Sequence, residues 1–234
     1  MAGLSLVPSG RGTNYTGMLT RSIVFTTVLF IFLAATGMTI AAIIVPNWLS
    51  YDSYHGPSGH IHRRLGLHKQ CTNAFPPAAA SVSVSAHGRA LHCTAYPRFQ
   101  DCHNGDRYFC SMWRSVGFLM SFAVVLEGMT IAAFAVLLIG GKQKREQGWG
   151  FMATMAALAA LVQAVGMSIV IYLKDHDEKF AVPGWYLDKS WDLCTASWAL
   201  QLFVAVAITV AALCLPSEGG YELIPDRIQD EDEP

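Results

Sequence analysis

Charge is what this sequence lacks. Asp, Glu, Lys and Arg supply 14% of its 234 residues, where a soluble domain carries about a quarter. The two signs nearly cancel to a net −1, so no basic field exists to hold a nucleic acid. The signatures G-x-S-x-G and H-E-x-x-H are absent, as is a phosphate-binding glycine loop, and no nucleophile–base pair suggests itself. The expectation is a non-enzymatic protein with no cofactor. No C-x-x-C pair occurs among the six cysteines, so a thiolate metal site is not expected. Disorder is excluded by 53% hydrophobic residues and a mean hydropathy of +0.35.

What the chain has instead is long apolar runs. A bilayer core needs about 20 apolar residues in a helix, and four stretches are long enough. They give spans at 22–47, 115–140, 148–173 and 191–215. None carries the polar stripe that a helix of a soluble bundle would need. The only acid at mid-span is Glu127, and no Lys or Arg lies there. The first run is too long for a signal-peptide core and ends in Pro46-Asn47-Trp48 rather than a small-residue cleavage site, so it reads as a retained helix. Trp48, Trp113, Trp149 and Trp191 mark span boundaries as an aromatic belt does. The expected fold is an all-α membrane protein, a four-helix bundle with a small β-rich cap.

Four spans put both termini on one side. Lys142, Lys144 and Arg145 make the short loop 141–147 basic, and Arg11 and Arg21 precede the first span. These favour a cytoplasmic N-terminal segment (1–21), loop 141–147 and acidic tail (216–234). The outer loops are then 48–114 and the short, cysteine-free 174–190. Cys71, Cys93, Cys102 and Cys110 all lie in the first of these, and an even set confined to one loop reads as disulfides in an oxidising compartment. Four cysteines allow three pairings. The sequon Asn14-Tyr15-Thr16 falls on the cytoplasmic side and is expected to stay bare. Within the long loop, Ser81-Val82-Ser83-Val84-Ser85 alternates as a half-buried strand does, Pro76-Pro77 breaks the chain before it, and Asn104-Gly105 signals a tight turn. A fold of roughly 60 residues needs its bridges to be stable.

The chain resembles the claudin superfamily over about residues 20–215. Pro46-Asn47-Trp48 resembles that family's Pro-x-Trp. Gly66-Leu67-His68-Lys69-Gln70-Cys71 resembles its Gly-Leu-Trp-x-x-Cys, with His68 in the tryptophan position, and Arg114 stands where an arginine often precedes the second span. The long first loop is more similar to the fungal claudin-like branch. The resemblance implies a first bridge at Cys71, paired with its next cysteine, Cys93; Cys102 then pairs with Cys110. It also implies a plasma-membrane tetraspan that organises membrane domains, adhesion or fusion through its outer loop and lateral helix contacts. Its partners would be the lipid bilayer and other membrane proteins.

Other residues carry their own chemistry. Seven of the eight histidines lie in the first loop, among them His60, His62 and His68; imidazole titrates near pH 6.5, so the loop is a candidate pH sensor. His60 and His62 on one strand face could also hold a metal weakly. At 1.5 Å per residue, Glu127 lies about 18 Å from the outer end of its span, with Gln163 at about 15 Å and Gln201 at about 17 Å on theirs. Thr36 is close to that level. One polar residue per helix is thus expected in one mid-membrane layer. With no base present, Glu127 is expected to keep its proton and bond to an amide. Gly37-x-x-x-Ala41 and the alanines of 153–164 permit close helix packing. Tyr221-Glu222-Leu223-Ile224 matches a Tyr-x-x-apolar sorting signal, read from Tyr221 and Ile224. Glu127 and the histidines together support an alternative role: an accessory subunit of a channel or pump, or part of an ambient-pH sensor.

Overall fold

The computed structural model describes residues 21–54, 60–73, 92–98, 102 and 107–214. Four helices form where the apolar runs lie: α1 (Arg21–Ile44), α2 (Arg107–Ile139), α3 (Gly141–His176) and α4 (Lys189–Cys214). Each is long and apolar enough to cross a membrane. In lipid a backbone must satisfy its own hydrogen bonds, which a helix does within one segment. The helices close into a ring. α1 packs on α2 and α4, and α3 packs on α2 and α4.

Above the bundle lies a five-stranded antiparallel sheet in the order β4-β3-β2-β1-β5. Its strands are β1 (Leu49–Tyr54), β2 (His60–Leu65), β3 (Lys69–Thr72), β4 (His92–Ala95) and β5 (Trp185–Leu187). β1 and β2 pair along their full length, Leu49 opposite Leu65 and Tyr54 opposite His60. β5 comes from the segment between α3 and α4 and pairs Leu49 with Leu187 and Tyr51 with Trp185. The cap is therefore built from both the α1–α2 and the α3–α4 connections. Gly184, at φ +119°, makes the left-handed turn into β5, a conformation that side chains resist.

Most span boundaries differ from the sequence expectation by one to three residues, and three of the differences have a plain cause. α2 starts at Arg107, eight residues before the apolar run at 115, because its first turns are amphipathic: Phe109, Cys110, Trp113 and Val116 are buried while Arg107, Ser111 and Arg114 are exposed. Residues 141–147, expected as a loop, continue as the start of α3 after a break at Gly140. α1 ends at Ile44 rather than 47, ahead of Pro46. The alternating stretch 81–85, the prolines 76–77, the Asn104-Gly105 turn, the sequon at Asn14 and the Tyr221–Ile224 signal lie outside the described residues.

The core has two parts. One joins cap to bundle, with Trp48, Leu49, Leu65 and Leu67 packed on Phe109, Trp113, Val116 and Met120. The other lies toward the far end, around Phe25, Phe32, Phe134, Met152 and Ile208. Along every helix the polar residues described next fall between these two clusters.

Candidate functional site: a buried carboxylate layer beneath a stapled sheet

Glu127 is fully buried at mid-helix on α2. Its Oε1 accepts three hydrogen bonds. Thr39 Oγ1 of α1 donates at 2.8 Å, Gln163 Nε2 of α3 at 2.5 Å, and Gln201 Nε2 of α4 also donates. One side chain from each helix thus meets at a single oxygen. Ser197 adds a second hydroxyl from α4. Its Oγ lies 2.6 Å from Thr39 Oγ1 and accepts from Gln201 Nε2 at 3.2 Å. Gln163 Nε2 also donates to Thr39 Oγ1 at 3.1 Å. All five side chains are fully buried.

The carboxyl group is lopsided. Oε1 is saturated, while Oε2 has no hydrogen-bond partner, and Gln201 Oε1 has none either. Both orphans are acceptors, and buried acceptors are costly to leave bare. A proton on Glu127 Oε2 would turn that atom into a donor, and the adjoining Gln201 amide carries the acceptor in need of one. The layer can therefore store a proton within the bilayer span, or serve as polar glue between helices.

The structure brings Glu127, Gln163 and Gln201 together. The Thr36 hydroxyl lies beside the Glu127 carboxyl as well, while Thr39 makes the direct bond to Oε1. Thr36 is buried three residues earlier on the same stripe, and its Oγ1 donates to Phe32 O at 3.0 Å. Counting rise along a sequence fixes depth only to within a turn, because tilt is not included. Ser197 was missed; its place four residues before Gln201, on the same helix face, is the signal that could have found it.

In the cap, one disulfide joins Cys71 of β3 to Cys93 of β4, residues that face each other in the ladder. The other joins Cys102 to Cys110 on α2. Cys194 and Cys214 are free. Trp48 is buried and its Nε1 donates to Ala42 O at 2.7 Å, tying the first strand back onto α1. A Cβ on Gly66 would come within 2.5 Å of Pro46 Cα, so only glycine allows this approach. Leu67 is buried beside it, and Arg114 is exposed with Nη2 4.0 Å from Cys102 Sγ.

Among the described residues no three His, Cys, Asp or Glu side chains gather as a metal site would need. The His62 ring bridges two neighbours: Nδ1 contacts Asp52 Oδ1 across the β1–β2 pair, and Nε2 accepts from Arg64 Nε at 2.7 Å. Both ring nitrogens are thereby engaged. Tyr186 OH of β5 donates to Asp52 Oδ2 at 2.7 Å. That bond, then burial, raises the Tyr186 phenol above its ordinary range. His68 lies apart from this chain, its Cε1 facing Gly117 of α2. The side chain of His60 lies outside the described residues.

The fold defines a class: a multi-pass membrane protein with four spans and a disulfide-bonded sheet between the first two helices. No family model and no curated protein matches the chain.

Proposed function

We propose that this protein is a claudin-like, non-enzymatic tetraspan of the plasma membrane that organises membrane domains, adhesion or fusion. The carrying observation is the junction between sheet and bundle. The residues on which the resemblance rests, Trp48, Gly66, Leu67 and Cys71, all sit at or beside it, and Leu49 and Leu65 lock the sheet into the helix core. A cap fused to its helices transmits a contact made outside into a lateral arrangement within the bilayer. The cysteine bridges favour an oxidising compartment for the cap, with the termini and residues 141–147 in the cytoplasm.

The test is the distribution of a C-terminally tagged protein in living cells. The reading expects the protein at the plasma membrane, concentrated in discrete domains or at cell contacts. Even distribution over that membrane, or steady residence in an internal one, would overturn it. A second reading, an accessory subunit of a transporter or pH sensor, draws on the bare Oε2 of Glu127; the Glu127 variants described below separate the two.

A further inference from the structure

A cavity of about 540 Å³ opens on the outer turns of α2, beside the Cys102–Cys110 bridge. Arg107, Ser111, Arg114, Ser115 and Phe118 line it. Arg107 and Arg114 are two helical turns apart on one face, with the Ser111 hydroxyl between them. Ser115 Oγ is turned back along its own helix, donating to Ser111 O at 3.0 Å. Among the described residues no carboxylate pairs with either arginine; Arg114 has only the sulfur contact at Cys102. Among the described residues the cavity is thus cationic.

Below it the same face changes character. Phe118 is 70% exposed and stacks in parallel on Phe122, with centroids 6.3 Å apart. Val125 and Met129 continue the exposed stripe at helical spacing. From Phe118 to Met129 is about 17 Å along the helix, close to the hydrocarbon depth of one leaflet. No Lys or Arg occurs between 115 and 139. A basic head site at the water boundary, continuous with an apolar track one leaflet long, has the anatomy of a phospholipid.

We propose that this face of α2 binds an anionic phospholipid of the leaflet on the cap side. The phosphodiester lies between Arg107 and Arg114, and an acyl chain runs over Phe118 and Phe122. Arginine suits this task because its fork of N–H groups meets two phosphate oxygens at once.

The experiment is native mass spectrometry of the full-length protein in detergent, titrated with dioleoyl phosphatidylglycerol, dioleoyl phosphatidylcholine or glycerol 3-phosphate. Phosphatidylglycerol carries the net negative charge that choline cancels in phosphatidylcholine, so it should be retained about tenfold more tightly. The pair R107A/R114A should erase that preference, and R107K/R114K should keep most of it. F118A/F122A should weaken phosphatidylglycerol retention. Alanine substitution of Lys142, Lys144 and Arg145 should leave the preference intact. Should R107A/R114A fail to fold, as read from its melting temperature, R107Q/R114Q takes its place. Equal retention of the two lipids overturns the proposal, as does a preference that survives loss of both arginines. A preference lost with the 141–147 cations overturns it too. Displacement of the lipid by equimolar glycerol 3-phosphate would mark a site for free phosphate and likewise sink the lipid assignment.

Discussion

Replacing Glu127 tests the central feature of the bundle. Three donors converge on its Oε1, and each has a weaker fallback: Thr39 can turn to Ala35 O at 3.2 Å, Gln163 to Thr39 Oγ1 at 3.1 Å, and Gln201 to Ser197 Oγ at 3.2 Å. A hydrogen bond between helices in a membrane contributes about 0.6–2 kcal/mol. Glu127→Leu deletes three, which sets an upper bound of roughly 6 kcal/mol; with the fallbacks taken up, the expected loss is ~2 kcal/mol. Glu127→Gln keeps an acceptor for the three donors and puts an N–H donor in place of the unpartnered Oε2. That variant should melt with the wild type. Glu127→Lys places an unpaired cation at mid-span, at about 2.5–3.5 kcal/mol on insertion scales, and should not assemble. Melting followed by fluorescence-detected size exclusion ranks the three variants, with cell-surface level and domain distribution measured beside it. A Glu127→Gln protein that melts as low as Glu127→Leu would refute the proton-matched layer. One that folds, reaches its membrane and is yet inactive would show the carboxyl group to be a working ionisable site rather than glue.

Three further outcomes are expected. Non-reducing peptide mapping should recover Cys71 joined to Cys93 and Cys102 joined to Cys110, with Cys194 and Cys214 alkylated; Cys71→Ser should lose about 2–5 kcal/mol and be retained in the secretory pathway, which glycan-independent surface labelling reads directly. Gly66→Ala drives a methyl group into the backbone at Pro46, an overpacking cost of about 1–3 kcal/mol, and should lower the melting temperature while Gly37→Ala, which meets nothing within 4 Å, should not. Tags at both termini should resist protease added outside intact cells and be digested after permeabilisation; digestion from outside would reverse the orientation.

The four spans could be read from the chain alone because a helix in lipid is a local solution. Each run supplies its own hydrogen bonds, and length and apolarity suffice. The Glu127, Gln163 and Gln201 layer was legible for a related reason: rise per residue converts sequence position into depth. The same conversion could not choose between Thr36 and Thr39, three residues apart on one stripe, and gave no weight to Ser197. Contacts distant in sequence were hidden altogether. β5 forms because Trp185–Leu187, leading into α4, meets Leu49–Tyr51, leading out of the adjacent α1, and a three-residue strand has no periodicity to announce it. The outer start of α2 was masked by its own arginines, which break the apolar run while Phe109, Cys110 and Trp113 bury the opposite face. Whether a charge at a span boundary ends a helix or rides on its exposed side depends on what packs against the other side, and only the tertiary structure supplies that neighbour.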